Sequence, residues 1–423
     1  QNDSFKEFII PENGSVPASL AMDLNGKIWF SDQSGAGSVW SFNPVTKIFA
    51  QYKTLTPKSN PLFVLIDDSN NVWFTETTQN KLGELRYPNY NISEFELPSS
   101  SSGPVELAFG LNQSTIWITE TFTGKIASFS VTSHSFNEFS PPSADYLKSP
   151  VGIVSDSDGN VWVSEHGGSA VVELVPTNST FKKYPTSIPS PSVYPVSAVA
   201  TIALDSHQRL WFVEHFSNRV GRLDPKSNVL EEFQIPTSQP AYSVLNTLDR
   251  QGNFWFTEFS SNQIAEVAGN ISSPLMTSLE LDPQSQITAG KTITSRFLVT
   301  NNLSTSLVVR LNTTSSFTAT GLTNSQEVFL NSTVLTIPAG GTQIVSASIT
   351  PDSSLASGIY SVGIIASAEN VSTIGIAFLS VQGQFSAVNW ISSNYQVISI
   401  AIIVLLGLLY FGFFRRKARK KVA

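Results

Sequence analysis

One short phrase sets the limits on what this chain can fold into. It occurs six times: IWFSD ending at Asp32, VWFTE at Glu76, IWITE at Glu120, VWVSE at Glu165, LWFVE at Glu214 and FWFTE at Glu258. The tryptophans Trp29, Trp73, Trp117, Trp162, Trp211 and Trp255 are spaced by 44, 44, 45, 49 and 44 residues. A period in the mid-forties is what one four-stranded propeller blade requires.

The rest of each unit agrees. A proline (Pro17, Pro61, Pro104, Pro150, Pro195, Pro240) opens a short apolar strand ahead of each tryptophan. Polar turns such as DLNG, DDSNN, DSDGN and DRQGN then join two apolar runs, which is a hairpin signal. A third strand follows the acidic residue, as in KLGELRY and RVGRLDP, and a fourth carries an EF-x-x-P phrase: ISEFELP, FNEFSPP, LEEFQIP. The sixth unit lacks that last phrase, whereas FKEFIIP stands at residues 5–11. The expectation is a six-bladed propeller over residues 1–270, with the N-terminal strand completing the last blade and leaving no exposed edge.

The pattern W-[FIV]-[TSV]-[ED], set between a Gly-Asn turn and an xIGxL-like strand, resembles the streptogramin (virginiamycin B) lyase family. More loosely it is similar to gluconolactonase-like six-bladed propellers. The resemblance implies a propeller, and for active members a metal-dependent opening of a cyclic depsipeptide, with Mg²⁺ held by carboxylates and a histidine base. Members of that lyase family have seven blades, so a count of six is a departure.

Residues 271–383 lose the repeat. Alternating runs such as TSRFLVTN, SLVVRLN and SGIYSVGIIASAE indicate an antiparallel β-sandwich. They look like the immunoglobulin-like modules of microbial surface proteins, which suggests a stalk. Residues 384–396 read as a juxtamembrane linker. From Val397 to Phe414 the chain is uncharged. As a helix these residues span about 27 Å, close to a bilayer's hydrocarbon core. Arg415, Arg416, Lys417, Arg419, Lys420 and Lys421 follow within residues 415–423, a basic cluster that places this end in the cytoplasm. With Gln1 first and no hydrophobic leader, the sequence reads as a mature chain. The fold class expected is therefore all-β: a six-bladed β-propeller, an immunoglobulin-like β-sandwich and one C-terminal transmembrane helix. The expected location is the plasma membrane, single-pass type I, with most of the chain extracellular.

Charge and composition narrow the function. The net charge of −7 includes the six cations of the tail, which leaves −13 on the rest and argues against a nucleic-acid binder. The absence of cysteine excludes disulfide frameworks, thiolate nucleophiles and iron–sulfur clusters. Asn-x-Ser/Thr sites stand at Asn2, Asn13, Asn91, Asn112, Asn178, Asn270, Asn302, Asn312, Asn331 and Asn370, candidates for N-linked glycans. A cysteine-free, Ser/Thr/Asn-rich ectodomain fits an archaeal surface protein better than a eukaryotic one.

Blade topology puts the acids ending the second strands on one face, so Asp32, Glu76, Glu120, Glu165, Glu214 and Glu258 are expected to form a ring able to hold Mg²⁺ or Ca²⁺. The alternative is that each acid caps its own loop by accepting backbone N–H bonds. Asymmetry enters only in the fourth and fifth units, as Glu165-His166 and Glu214-His215. The connector between these units is the lengthened one, so insertion and histidines should meet on one rim. His166 and His215 are thus the candidate acid/base pair, and Glu165, Glu214 and Glu258 the candidate metal ligands. No E-x-H arrangement follows any of the six acids, so no residue transfers directly from the lyases. Two functions remain open. One is a surface binding or assembly protein that docks to envelope proteins, a membrane complex, or a glycan or peptide; the other is a metal-dependent lyase or lactonase displayed on the surface.

Overall fold

The computed structural model describes residues 6–383, apart from residues 36, 189–193, 238–241, 282–285, 316–327, 354, 356 and 369–370. Among the described residues there are strands and no helix. The first sheet is β1 (Pro17–Met22), β2 (Ile28–Asp32), β3 (Ser38–Asn43) and β4 (Ile48–Lys53). The second is β5 (Pro61–Ile66), β6 (Val72–Glu76), β7 (Lys81–Arg86) and β8 (Asn91–Glu96). The third is β9 (Pro104–Phe109), β10 (Thr115–Glu120), β11 (Lys125–Ser130) and β12 (Ser135–Phe139). The fourth is β13 (Pro150–Ser155), β14 (Val161–Glu165), β15 (Ala170–Val175) and β16 (Thr180–Pro185). The fifth is β17 (Val199–Leu204), β18 (Leu210–Glu214), β19 (Arg219–Asp224) and β20 (Val229–Gln234). The sixth has three strands: β21 (Asn246–Leu248), β22 (Phe254–Glu258) and β23 (Gln263–Val267). Each sheet is an antiparallel meander in chain order.

Every position of the repeated phrase has a structural reason. The tryptophan lies in the second strand, and in five sheets its indole Nε1–H donates to an aspartate six residues earlier: Trp29 to Asp23, Trp73 to Asp67, Trp162 to Asp156, Trp211 to Asp205 and Trp255 to Asp249, at 2.9–3.1 Å. The same carboxylate accepts turn N–H groups, as Asp67 does from Ser69 and Asn71, so one side chain closes the hairpin and anchors the ring. In the third sheet Gly110 stands in the turn, seven residues before Trp117. The hydroxyl two residues after the tryptophan ties neighbouring sheets together. Ser31 donates to Leu62 O, Thr75 to Val105 O and Thr119 to Val151 O. Val213 has no hydroxyl, and Thr201 makes the corresponding bond to Val244 O.

Successive sheets pack face to face through apolar clusters. Trp29 and Val39 meet Val64 and Phe74, and Trp211 and Val220 meet Phe254 and Phe256. The first strands β1, β5, β9, β13, β17 and β21 follow one another on the inside of the array. No packing of comparable extent joins β21 to β1, and Leu20, Met22 and Ile264 are left exposed. Among the described residues the expected closure is not made. Residues 6–10 form no strand and lie on the outward face of the first sheet, with Ile10 against Phe30, Trp40 and Phe42, while the sixth sheet has no fourth strand among the described residues. The physical reason is burial: that face is apolar, and Phe8 packs on Phe42 at 4.7 Å.

Residues 275–382 form two facing layers. One is β24 (Leu275–Leu281), β26 (Ile293–Asn301), β30 (Thr342–Ile349) and β28 (Val328–Leu330). The other is β29 (Val334–Ile337), β27 (Leu307–Ser315), β31 (Gly358–Ala368) and β32 (Val371–Gln382), with β25 (Ile287–Thr288) parallel to β32. Phe297, Val299 and Val345 from one layer share a core with Val309, Val362 and Leu379 from the other. The second layer does not stand apart as a free stalk. β32 pairs antiparallel with β20, from Val229↔Gly375 to Phe233↔Val371, so one sheet runs from the fifth propeller sheet into this region. Ile365, Ile374 and Ile376 enter a core with Tyr184, Phe212 and Leu230, because the outer edge of β20 would otherwise offer unpaired N–H and C=O groups to water. The expected linker 384–396, span 397–414 and tail 415–423 lie outside the described residues; among the described residues no helix is long and apolar enough to cross a membrane.

Candidate functional site

The loops after the second strands and the connections between sheets lie on one rim. His166 N donates to Ser149 O, His215 N to Ala198 O and Phe122 N to Ser102 O. The two histidines singled out by sequence come together there. Their ring centroids are 5.6 Å apart and nearly perpendicular. Tyr194, from the lengthened connector, stacks on Phe216 at 4.3 Å, and its hydroxyl lies 2.6 Å from that of Tyr242, which packs on His215. Burial lowers both imidazole pKa values; for His215 the neighbouring His166 adds to the shift and a hydrogen bond to the Ser243 backbone opposes it. Both rings are therefore biased towards the neutral form, at a rim lined by aromatic side chains. Sequence reasoning missed Tyr194, Tyr242 and Phe216; the signal was the tyrosine in each flanking connector and the phenylalanine directly after His215.

The acids do not form an open ring. Asp32, Glu76, Glu120, Glu165, Glu214 and Glu258 are all buried, each inside its own sheet. Asp32 accepts from Val16 N, Ser34 N and the Ser15 hydroxyl, which hold its pKa below the ordinary value against the upward push of burial. In the second, third and fifth sheets the buried acid sits beside a second carboxylate on the fourth strand and a cation on the third. The cation binds the second carboxylate: Lys81–Glu94 at 2.9 Å, Lys125–Glu138 at 2.8 Å and Arg219–Glu232 at 2.9 Å. Arg219 thus pairs within its own sheet.

Two carboxylates share one cation, so one of them retains its proton. Burial, then the charge of Glu94, pushes Glu76 up to about 8. Burial and Glu138 push Glu120 up to about 7, with a Thr123 hydrogen bond opposing, and burial and Glu232 push Glu214 well above its usual range. Among the described residues neither carboxylate oxygen of Glu76 or Glu214 has a hydrogen-bond partner. The fourth sheet solves the same problem differently. Alanine replaces the third-strand cation, and Lys183 on the fourth strand reaches Glu165 at 2.8 Å, both nearly inaccessible. Glu258 accepts from the Thr237 hydroxyl. A further buried carboxyl missed by sequence reasoning is Glu106 on β9, raised to about 8 by burial.

The residues present do not fit the Mg²⁺ or Ca²⁺ that the resemblance implies. Hard cations need several converging oxygen ligands. Glu165 is taken up by Lys183 and Lys148 N and Glu258 by the Thr237 hydroxyl, Glu214 is fully buried, and among the described residues no three His, Asp or Glu side chains gather around one point. His207 and His134 are exposed: His207 in the Asp205 turn, and His134 against Phe95 and Phe129.

Comparison with known proteins agrees with this architecture. The Virginiamycin B lyase family model matches residues 3–292. A streptogramin B lyase structure is similar at 25% identity and TM-score 0.54, over 63% of this chain and 87% of that one. Selenomethionine-substituted virginiamycin B lyase from Staphylococcus aureus is similar at 26% identity and TM-score 0.52, over 62% and 87%. A catalytically inactive variant of the Staphylococcus aureus enzyme, solved with quinupristin, shares the fold at 23% identity and TM-score 0.54, over 65% and 92%. No curated protein matches the chain.

Proposed function

We propose a function that starts from one premise: this chain belongs to the virginiamycin B lyase family. Within that family it acts as a binding and assembly protein of the cell surface. The observation that carries this reading is the fate of the strand-end carboxylates. They are buried within the sheets, so the rim is left with neutral imidazoles, phenols and a phenyl ring. Such a surface suits recognition, where aromatic anchors supply contact area and hydroxyls supply direction. Its ligand is an envelope protein, a membrane complex, or a glycan or peptide.

Reading the sandwich as immunoglobulin-like and residues 397–414 as a span supports a rim outside the cell, with the basic tail in the cytoplasm. The eight sequon asparagines among the described residues (Asn13, Asn91, Asn112, Asn178, Asn270, Asn302, Asn312 and Asn331) are exposed, which supports N-glycosylation. Asn302 is the least suited, because its Nδ2 already donates to Ser273 O.

The test uses the full chain extracted in mild detergent. An envelope component should co-purify with the wild type and be lost from a Tyr194→Ala/Phe216→Ala variant. Incubation with a streptogramin-type cyclic depsipeptide and Mg²⁺ should leave the ester intact. Ring opening that disappears in His166→Ala/His215→Ala would establish the lyase instead.

A further inference from the structure

The sixth sheet carries an acceptor for a strand that its own chain does not place there. Beside β23 lies an open slot of about 560 Å³, walled by Val220, Phe233, Ile235 and Phe256 among others. The edge of β23 is unpaired among the described residues. What this slot needs follows from the filled ones. In the second, third and fifth sheets a fourth-strand glutamate (Glu94, Glu138, Glu232) is held by a hydroxyl from the preceding connection: Thr56, Ser99 and Ser187. Thr237 occupies that place before the sixth sheet, and with no such glutamate beside it the hydroxyl turns to Glu258.

The residue before that glutamate is specified as well. In the fifth sheet Arg222 stands opposite Glu231 and pairs with it at 2.6 Å. Aligning Glu214↔Arg219 with Glu258↔Gln263 puts Glu266 at the position of Arg222, with the charge reversed. The matching strand is therefore a cation, a glutamate, an aromatic residue and an apolar residue two further on, before proline. Lys6-Glu7-Phe8-Ile9-Ile10-Pro11 is that sequence.

This segment is poised as a donor. Phe8 packs on Phe42 at 4.7 Å, as the fourth-strand Phe95 packs on Phe129 at 4.8 Å. Residues 6–10 thus sit where the fourth strand of a preceding sheet would sit, yet no strand pairing is made to them and Ile9 is 90% exposed. Donor and acceptor lie at opposite ends of the run of sheets, with no packing of comparable extent between those ends.

We propose that the β23 edge binds Lys6–Pro11 of a second copy of this chain by strand addition. Lys6 faces Glu266, Glu7 reaches the Thr237 hydroxyl, and Phe8 stands opposite Ile264 as Phe233 does opposite Val220. Each copy has one donor and one acceptor, so the contact is head-to-tail and propagates into a ring or a filament. It is independent of whatever the histidine rim binds.

The chain has no cysteine, so the pairing can be read without background. Full-length Lys6→Cys and Glu266→Cys variants are mixed in mild detergent and oxidised. The mixture should give a reducible dimer, each variant alone should give none, and the double variant should give a ladder. In sedimentation velocity Lys6→Glu should abolish assembly and Lys6→Glu/Glu266→Lys should restore it. An internally crosslinked monomer from the double variant, with no dimer in the mixture, would mean that the chain closes on itself and would overturn the proposal. Dimers from a single variant, or no crosslink at all, would overturn it too.

Discussion

At the scale of single residues, the molecule stores protons inside its sheets. Glu76 titrates at about 8 and Glu120 at about 7, against an ordinary value of 4.5, and Glu214 is raised well above that ordinary value, because burial and a second carboxylate disfavour the charged form. The folded chain therefore holds protons that the unfolded chain releases. The stability this gives is fully present below the unfolded value and is lost as pH rises through the folded values. His166 and His215 act in the opposite sense near 6.5, since their folded values are lowered. The expected outcome is thus comparative. A Glu76→Gln/Glu120→Gln/Glu214→Gln variant should gain in melting temperature on the wild type as pH is raised from about 5 to about 8.5. Thermal melts across that range check it, and a difference that stays constant with pH would show that the carboxyls are ionised throughout.

At the scale of elements, the unit of construction is a hairpin closed by aspartate and anchored by tryptophan. Asp67 accepts from Trp73 Nε1 at 3.1 Å and from the turn at Ser69 and Asn71, and Trp73 is fully buried. Asp67→Ala strands a buried indole N–H and frees the turn, which should cost about 1–3 kcal/mol in urea denaturation. Asp67→Asn keeps an acceptor for the turn but sets an amide against the indole donor, so it should fall between. The polar turn was visible in the sequence as a hairpin signal. Its bond to the tryptophan was not, because the six-residue separation gains meaning only when both strands are paired in register. The same holds for the hydroxyl beside each acid, whose carbonyl partner belongs to the next sheet.

At the scale of the whole molecule, the sheets and the sandwich share backbone as well as side chains. Ile374 is fully buried between β20, the fourth sheet and the sandwich. Ile374→Asp places an unpaired charge in that shared core. Backbone amides of β32 and also of β20 should then exchange faster in hydrogen-exchange measurements, while β8, remote from the seam, stays protected. Unchanged protection of β20 would mean that the two regions are mechanically separate. The chain's two ends raise the same question of edges. The phrase at residues 5–11 was legible as a fourth strand, but which sheet it serves depends on whether the run of sheets meets itself.

The sequence by itself determined the repeat, the strand order within each unit, the second all-β region and the meeting of His166 with His215 on one rim. These are local or periodic properties, set by alternation, turn chemistry and the equal length of the units. Only the tertiary structure decided what the acids do. Their type and spacing suggested a ring of ligands, yet whether a carboxylate faces solvent or a neighbouring strand depends on the register of the third and fourth strands, which brings Lys81, Lys125, Lys183 and Arg219 to them or to their neighbours. The tertiary structure also decided that β32 continues the fifth sheet and that, among the described residues, the β23 edge is unpaired. Edge pairing joins residues more than a hundred positions apart, and no periodicity along the chain records which edges meet.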